Sequence, residues 1–359
     1  MNNKTRDTSL LSMLLSGPSP SGYEASLIQD WLMWMTANCT DVSLTYTDKL
    51  GQKGISIGTG PKKIVLSAHI DSIFARVQYV DSKGLVHLKH TGGTDREGFL
   101  CNEVVIIGME GAPIAKGIVG KAPIHIEHEQ DKAKYDNLDK VVVNVGAESK
   151  KEAETMGIIA GLPVVYAPKS SLEFGKNRLY GTCLDDKIGV YIISMIAIGL
   201  AMNKDYGTWF KDYTVIILPL AQEEVGGMGA IRAARNINPD VCINFDVDHA
   251  KDHVSVKDKN VGDTELGKGG IISIGCDKTP RIVNALIQVC KDNGISYQTC
   301  ATRNGGTDTI KFQTETTDCE TALVSIPNIY MHTPVEVCDW RDVDSCIDIV
   351  QYAIMLSKL

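Results

Sequence analysis

Five short motifs in this chain carry side chains that bind hard metal ions. The first is Ala68-His69-Ile70-Asp71. With a strand period of two, His69 and Asp71 point the same way, and a carboxylate so placed can accept the second imidazole N–H and fix the tautomer that ligates a metal. The second is Cys183-Leu184-Asp185-Asp186-Lys187, and the third is Gln222-Glu223-Glu224, where two carboxylates stand side by side. Adjacent residues cannot both ligate in one orientation, so one can bind metal while its neighbour stays free to move a proton. The fourth is Phe245-Asp246-Val247-Asp248 and the fifth Tyr330-Met331-His332-Thr333-Pro334. Singly each is weak: a lone histidine is more often structural than a ligand, Asp185-Asp186 reads as a helix N-cap, and a Glu-Glu pair usually sits on a solvated surface. Together they supply oxygen and imidazole ligands with no soft sulfur pair nearby.

The five motifs share a position at predicted strand or loop ends. Ile64-Val65-Leu66-Ser67-Ala68 is a run typical of a strand covered on both faces, and His69 follows it directly. Periodicity predicts two opening helices around a Gly/Pro/Ser break, one carrying Leu10 to Leu14 and one Ile28 to Met35. Farther on, the pattern alternates: helix Lys187 to Asn203, strand Tyr213 to Leu220, helix Gly227 to Asn236, strand Asp240 to Phe245, helix Pro280 to Asn293, and a last helix from Val343 to Ser357. That alternation predicts an α/β fold with a central mixed, mainly parallel sheet flanked by helices. Open sheets of this kind bind ligands beyond the carboxyl ends of their strands, which is where the motifs fall.

Between Phe74 and Pro168 the texture changes to short β-like segments separated by glycines, at Val77 to Val80, Leu85 to Leu88, Glu103 to Met109 and Lys140 to Val145. Helical periodicity is nearly absent there. We read residues 74–168 as a small β-barrel-like domain inserted between the two parts of a larger domain, 1–73 and 169–359. The insertion supplies none of the five motifs, so its use is expected to lie elsewhere, in self-association.

Composition narrows the function. A net charge of -8 with scattered Lys and Arg gives no footprint for nucleic acid. The apolar run from Ile188 to Met202 is shorter than the roughly 20 residues that cross a bilayer. The short run Leu10 to Leu15, broken by Ser12, lacks a signal-peptide core, and none of the ten cysteines is spaced C-x-x-C. A reducing, cytoplasmic setting is the expectation.

In order, spacing and identity these motifs resemble those of the tetrahedral and glutamyl aminopeptidases, dinuclear zinc or cobalt exopeptidases of the MH clan. The resemblance runs from Pro18-Ser19-Pro20-Ser21-Gly22-Tyr23-Glu24 to His332-Thr333-Pro334-Val335-Glu336-Val337. It includes Gly146-Ala147-Glu148-Ser149-Lys150 at the close of the insertion and Gly305-Gly306-Thr307-Asp308. It implies an enzyme that removes residues one at a time from the free amino end of peptides, with two divalent ions per chain, zinc first and cobalt or manganese also suited. It implies further that Asp185 bridges the two metals, that His69 and Asp246 complete one site and Glu224 and His332 the other, that Glu223 is the general base, and that Asp71 orients His69. The charges agree: three carboxylates and one bridging hydroxide would balance two divalent ions. In such relatives the insertion builds dimers that assemble into a dodecameric shell, and the same is expected here.

Two departures stand out. Lys187 occupies a position usually held by Arg, and Asp248-His249 follows Asp246 where a small or hydroxyl residue is commoner; His249 is expected at the polar rim. The competing readings are an N-deacylase or carboxypeptidase of the same clan, which would need a cation such as Arg303 for a substrate carboxylate, a non-catalytic assembly protein with a vestigial site, and a glycosidase using paired carboxylates.

Overall fold

A computed structural model describes residues 6–121, 123, 125, 141–253, 262–301 and 307–359. The chain opens with helices α1 (Ser9–Ser16) and α2 (Ala25–Asn38), then strands β1 (Ser43–Thr47), β2 (Lys53–Ile57) and β3 (Lys62–His69). In β3 successive side chains enter opposite cores. Leu66 packs with α1, α2 and the later helices, whereas Val65 packs on the other face with Leu218, Ala233 and Phe312. Both faces are therefore covered, which is why the strand reads as an unbroken apolar run.

Among the described residues, Phe74 to Tyr166 contains six strands: β4 (Phe74–Val80), β5 (Val86–Thr91), β6 (Glu103–Ile107), β7 (Pro113–Val119), β8 (Val142–Asn144) and β9 (Pro163–Tyr166). They close into a barrel in the order β4-β5-β8-β7-β6-β9 around Val77, Leu88, Val104, Ile106, Val143 and Val164. Two of these strands, β7 and β9, were not among the expected segments, and neither was the short helix α3 (Lys150–Thr155). β7 alternates exposed and buried residues through Pro113, Lys116 and Gly117, which blurs its pattern. Helix α3 is started by its Ser149 cap, whose hydroxyl accepts from the Glu152 N–H. Lys140, the first residue of the expected segment Lys140 to Val145, lies outside the described residues.

Past the hairpin β10 (Ser170–Phe174) and β11 (Arg178–Gly181), the alternation resumes with α4 (Leu184–Met202), α5 (Trp209–Asp212), β12 (Tyr213–Leu220), α6 (Met228–Ile237) and β13 (Val241–His249). Then follow β14 (Gly270–Ile274), α7 (Pro280–Asn293), β15 (Tyr297–Ala301), α8 (Thr309–Glu315), β16 (Glu320–Asn328), β17 (Glu336–Asp339) and α9 (Trp340–Met355). Among the described residues eight strands form one mixed sheet, β1-β2-β12-β3-β13-β16-β14-β15, whose central four run parallel. β17 joins the hairpin β10-β11 as a separate three-stranded sheet.

Two boundaries differ from expectation for physical reasons. The strand expected to end at Phe245 runs on to His249, because its parallel ladder with β16 continues from Val241 opposite Glu320 to His249 opposite Asn328. Asp246 and Asp248 thus lie within the strand. The last helix starts at Trp340 rather than Val343, since the Asp339 side chain caps it by accepting from the Arg341 N–H. No helix among the described residues is long and apolar enough to cross a membrane.

Candidate metal centre

Parallel strands leave their carboxyl ends on one edge; three of the five motifs come from those ends, and Asp246 lies in the carboxyl-terminal half of β13. His69 is the last residue of β3 and lies opposite Leu220, the last residue of β12. The register that pairs Ser67 with Asn244 places Asp246 level with His69 two residues on. Gln222-Glu223-Glu224 follows β12, and His332 follows β16. Asp185 comes from the start of α4, where Asp185 and Asp186 are non-helical and joined by a cis peptide bond.

Two groups of ligand atoms result. His69, Asp185 and Asp246 form one, and Asp185, Glu224 and His332 the other, the atoms of each lying within 4.8 Å of one another. Asp185 belongs to both, and its two oxygens divide between them. Oδ1 is 3.0 Å from His69 Nε2, and Oδ2 is 3.2 Å from His332 Nε2. His332 Nε2 is also 3.4 Å from Glu224 Oε1, and His69 Nε2 is 3.9 Å from Asp246 Oδ1.

The imidazoles are oriented by backbone. His69 Nδ1 donates to the Asp71 carbonyl at 3.1 Å, and His332 Nδ1 donates to the Gly93 carbonyl at 2.9 Å. Since a carbonyl only accepts, each Nδ1 carries a hydrogen, and Nε2 is the ring atom that faces the carboxylates and would ligate a metal. Burial opposes the charged form of His69, but its hydrogen bonds with Asp185 and Asp71 outweigh this and hold it well above its ordinary range. Burial likewise works to raise Asp185, yet the hydrogen bonds of His332 and His69 hold it well below the usual carboxylate range. Asp246 and Glu224 are pushed up, chiefly by burial. A buried cluster of carboxylates and imidazoles with those tendencies fits divalent cations, whose charge would restore the carboxylates.

The Asp71 carboxylate does more than face His69, from which it lies 3.6 Å away. Its oxygens accept from Glu223 N–H (3.0 Å), Glu224 N–H (3.2 Å) and Ser21 Oγ (2.7 Å), so it fixes the turn that carries both glutamates. Glu223 is pushed up to about 9, mainly by burial, with the charge of His69 opposing and those of Asp308 and Glu224 adding. Lys187 is buried and donates to the Gly17 carbonyl at 2.7 Å, a single contact rather than a bidentate one. His249 is exposed and belongs to neither ligand group. Arg303, Gly305 and Gly306 lie outside the described residues; Asp308, at the start of α8, is buried and pushed up by that burial to about 7.

Three contributors were not singled out from the sequence. Glu336 is buried, and its two oxygens accept from the Asp185 N–H (2.8 Å) and the His332 N–H (2.9 Å), tying two ligands together. Glu24 accepts from the Gln222 N–H, and burial followed by the charge of Asp71 pushes it up to about 8. Gly93 comes from the loop between β5 and β6 of the barrel, so the segment that supplies none of the five motifs still reaches the ligands through its backbone. It supplies no ligand, but its loop touches two of them: a Cβ on Gly92 would meet the Glu224 carbonyl at 2.8 Å, and one on Gly93 the His332 Nδ1 at 2.8 Å. Glu24 and Glu336 sit in motif segments and were visible as acidic residues; Gly93 had no signal, because its role is backbone only.

The chain is similar to known proteins over most of its length. The family model described as M42 glutamyl aminopeptidase matches residues 53–349. The chain is 30% identical over 347 residues to a lysyl aminopeptidase of Pyrococcus furiosus, covering 96% of each chain. It superposes on a TET aminopeptidase from the marine sediment archaeon Thaumarchaeota archaeon SCGC AB-539-E09 with a TM-score of 0.87 and 25% identity, covering 98% of this chain and 97% of that one. For an aminopeptidase of Desulfurococcus kamchatkensis the TM-score is 0.84 at 27% identity, with 96% and 93% covered.

Proposed function

Because the chain belongs to the M42 glutamyl aminopeptidase family, we propose that it hydrolyses the N-terminal bond of peptides with two divalent ions and with Glu223 as general base. The observation that carries this reading is the division of Asp185, one oxygen toward His69 and the other toward His332. A carboxylate so shared is the residue type that bridges a pair of cations. His69, Asp185 and Asp246 would hold one ion, and Asp185, Glu224 and His332 the other. Oxygen and imidazole donors accept zinc first, with cobalt or manganese also suited. Two bound ions would supply an acidified water and a polarised scissile carbonyl.

The chain's own part is positioning and proton transfer. Glu223 is next to the ligand Glu224 but belongs to neither ligand group, so its carboxylate is available to accept a proton from water and return it to the leaving amine. Asp71 keeps the two glutamates in their separate tasks by pinning both amides. Its backbone carbonyl meanwhile orients His69. The barrel, residues 74–168, serves self-association to a dimer and on to a dodecamer. Exposed Met109, Ile118 and Ile159 support this, at 68%, 57% and 50% relative exposure. No disulfide joins any of the ten cysteines, which supports a cytoplasmic location.

Metal analysis combined with a panel of aminoacyl chromogenic substrates and N-acylated controls tests the proposal. Two ions per active chain and cleavage that requires a free amine are expected. One ion per active chain after metal supplementation would overturn the dinuclear reading, and preference for acylated substrates would favour the deacylase.

A further inference from the structure

The turn that carries Glu223 is held by two carboxylates, and only one of them, Asp71, sits beside the ligands. Gln222, Glu223 and Glu224 present three successive backbone N–H groups. Those of Glu223 and Glu224 go to Asp71, and that of Gln222 goes to Glu24 Oε1 at 3.0 Å. The same Glu24 oxygen accepts from the Gly22 N–H at 2.8 Å, and Glu24 is only 1% exposed.

Glu24 reaches the turn because residues 18–24 are strapped along the chain after β3. Ser19 Oγ donates to the Ile70 carbonyl at 2.7 Å, the Ser72 N–H donates to the Ser19 carbonyl at 2.9 Å, and Pro20 bridges Ser72 in parallel. Ser21 then donates to Asp71 itself, so the strap meets both carboxylates.

Gln222 needs this hold. Its φ is 61°, in the left-handed region that a residue with a side chain occupies at a cost of about 1 kcal/mol or more unless its surroundings fix it. Release of its N–H lets the backbone at 222 rotate toward an ordinary conformation. That rotation pulls on the bond from the Glu223 N–H to Asp71 and shifts Glu223, the next residue in the chain, while Glu224, also held by Asp71 and one residue farther from the pivot, is moved less.

We propose that Glu24 is a positioning residue for the reaction: by holding Gln222 in its left-handed conformation it sets the carboxylate of Glu223 where a proton can be taken from water. The inference rests on the reading of Glu223 as general base. It requires the reach of the Glu24 side chain, with its acceptor oxygen at Gln222, rather than its charge.

Two variants separate reach from charge. Glu24→Asp keeps the acid and withdraws the oxygen by one methylene. A displacement on the order of 1 Å at a reacting group is worth roughly a hundredfold, so kcat is expected to fall between ten- and a hundredfold, with KM and the two-ion content unchanged. Glu24→Gln keeps the reach and an acceptor oxygen, and is expected to restore most of the rate. In a Glu223→Gln background, Glu24→Asp is expected to have no further effect on the residual rate, because the residue it acts through is gone.

A Glu24→Asp enzyme with wild-type kcat overturns the proposal. So does one that loses metal or fails to fold, since Glu24 would then serve the framework. Glu24→Gln as slow as Glu24→Asp overturns it by making charge the cause. Full turnover in Glu223→Gln alone sinks the general-base reading instead, independently of how Glu24 behaves.

Discussion

Glu336 offers the sharpest test of how the centre is built. Its two oxygens each accept one buried amide, from Asp185 at 2.8 Å and from His332 at 2.9 Å. Glu336→Gln replaces one oxygen by an NH2 group, so whichever way the amide turns, one ligand's N–H faces a donor and loses its partner. A buried donor left unsatisfied costs roughly 1–3 kcal/mol. If that energy is felt at the metal centre, ion affinity falls about ten- to a hundredfold, the size expected when a residue supporting a ligand is lost. Both candidate outcomes touch a ligand, because Asp185 belongs to both groups and His332 to one. The assay is competition of the loaded enzyme against a graded series of chelators, with ion content read by elemental analysis and folding checked by thermal melting. Wild-type retention in a folded Glu336→Gln chain would refute the view that Glu336 sets the geometry of Asp185 and His332.

Glu223→Gln is expected to lower kcat by at least about 10²-fold with metal content nearly intact, whereas Glu224→Gln loses metal as well; equal metal loss in both would show the division of labour to be wrong. Gly93→Ala would place a Cβ 2.7 Å from His332 Cε1, so weaker ion retention is expected without a change in the catalytic glutamates, and unchanged retention in chelator titrations would count against the barrel loop as a support of His332. Light scattering is expected to give at least a dimer and, for the full assembly, a dodecamer; Ile159→Arg, placing a charge on the exposed connection between α3 and β9, should shift the mass downward, and a monomer at all concentrations in the unmodified protein would refute assembly.

Much of the fold was readable because the apolar runs of central strands and the amphipathic helices are strong local signals. β12 and α7 fall on the expected residues Tyr213–Leu220 and Pro280–Asn293. The candidate ligands were readable because parallel strands end on one edge and the motifs follow those ends. What the sequence hid is of three kinds. β13 continues through Asp246 and Asp248 because a neighbouring strand pairs with it, which no local pattern records. Asp71 looked like a partner of the His69 ring, but most of its hydrogen bonds go to the backbone of a turn some 150 residues away in sequence, and only tertiary structure shows that. Gly93 acts through a carbonyl, a group every residue has, so its identity carries no trace of the role.

The contact between that carbonyl and His332 gives the barrel and the candidate metal centre a route by which each could act on the other. The loop at Gly92 and Gly93 leans on Glu224 and His332, and it belongs to the domain proposed to join neighbouring subunits. If subunits meet through the barrel, a shift of that loop would change how firmly Glu224 and His332 hold an ion. Linkage then works in reverse by the same factor: if association tightens the ion tenfold, the ion tightens association tenfold, about 1.4 kcal/mol in each direction. Under that coupling a chain stripped of its ions assembles less readily, and a dissociated chain gives up its ions more readily. Assembly and metal loading would then rise and fall together.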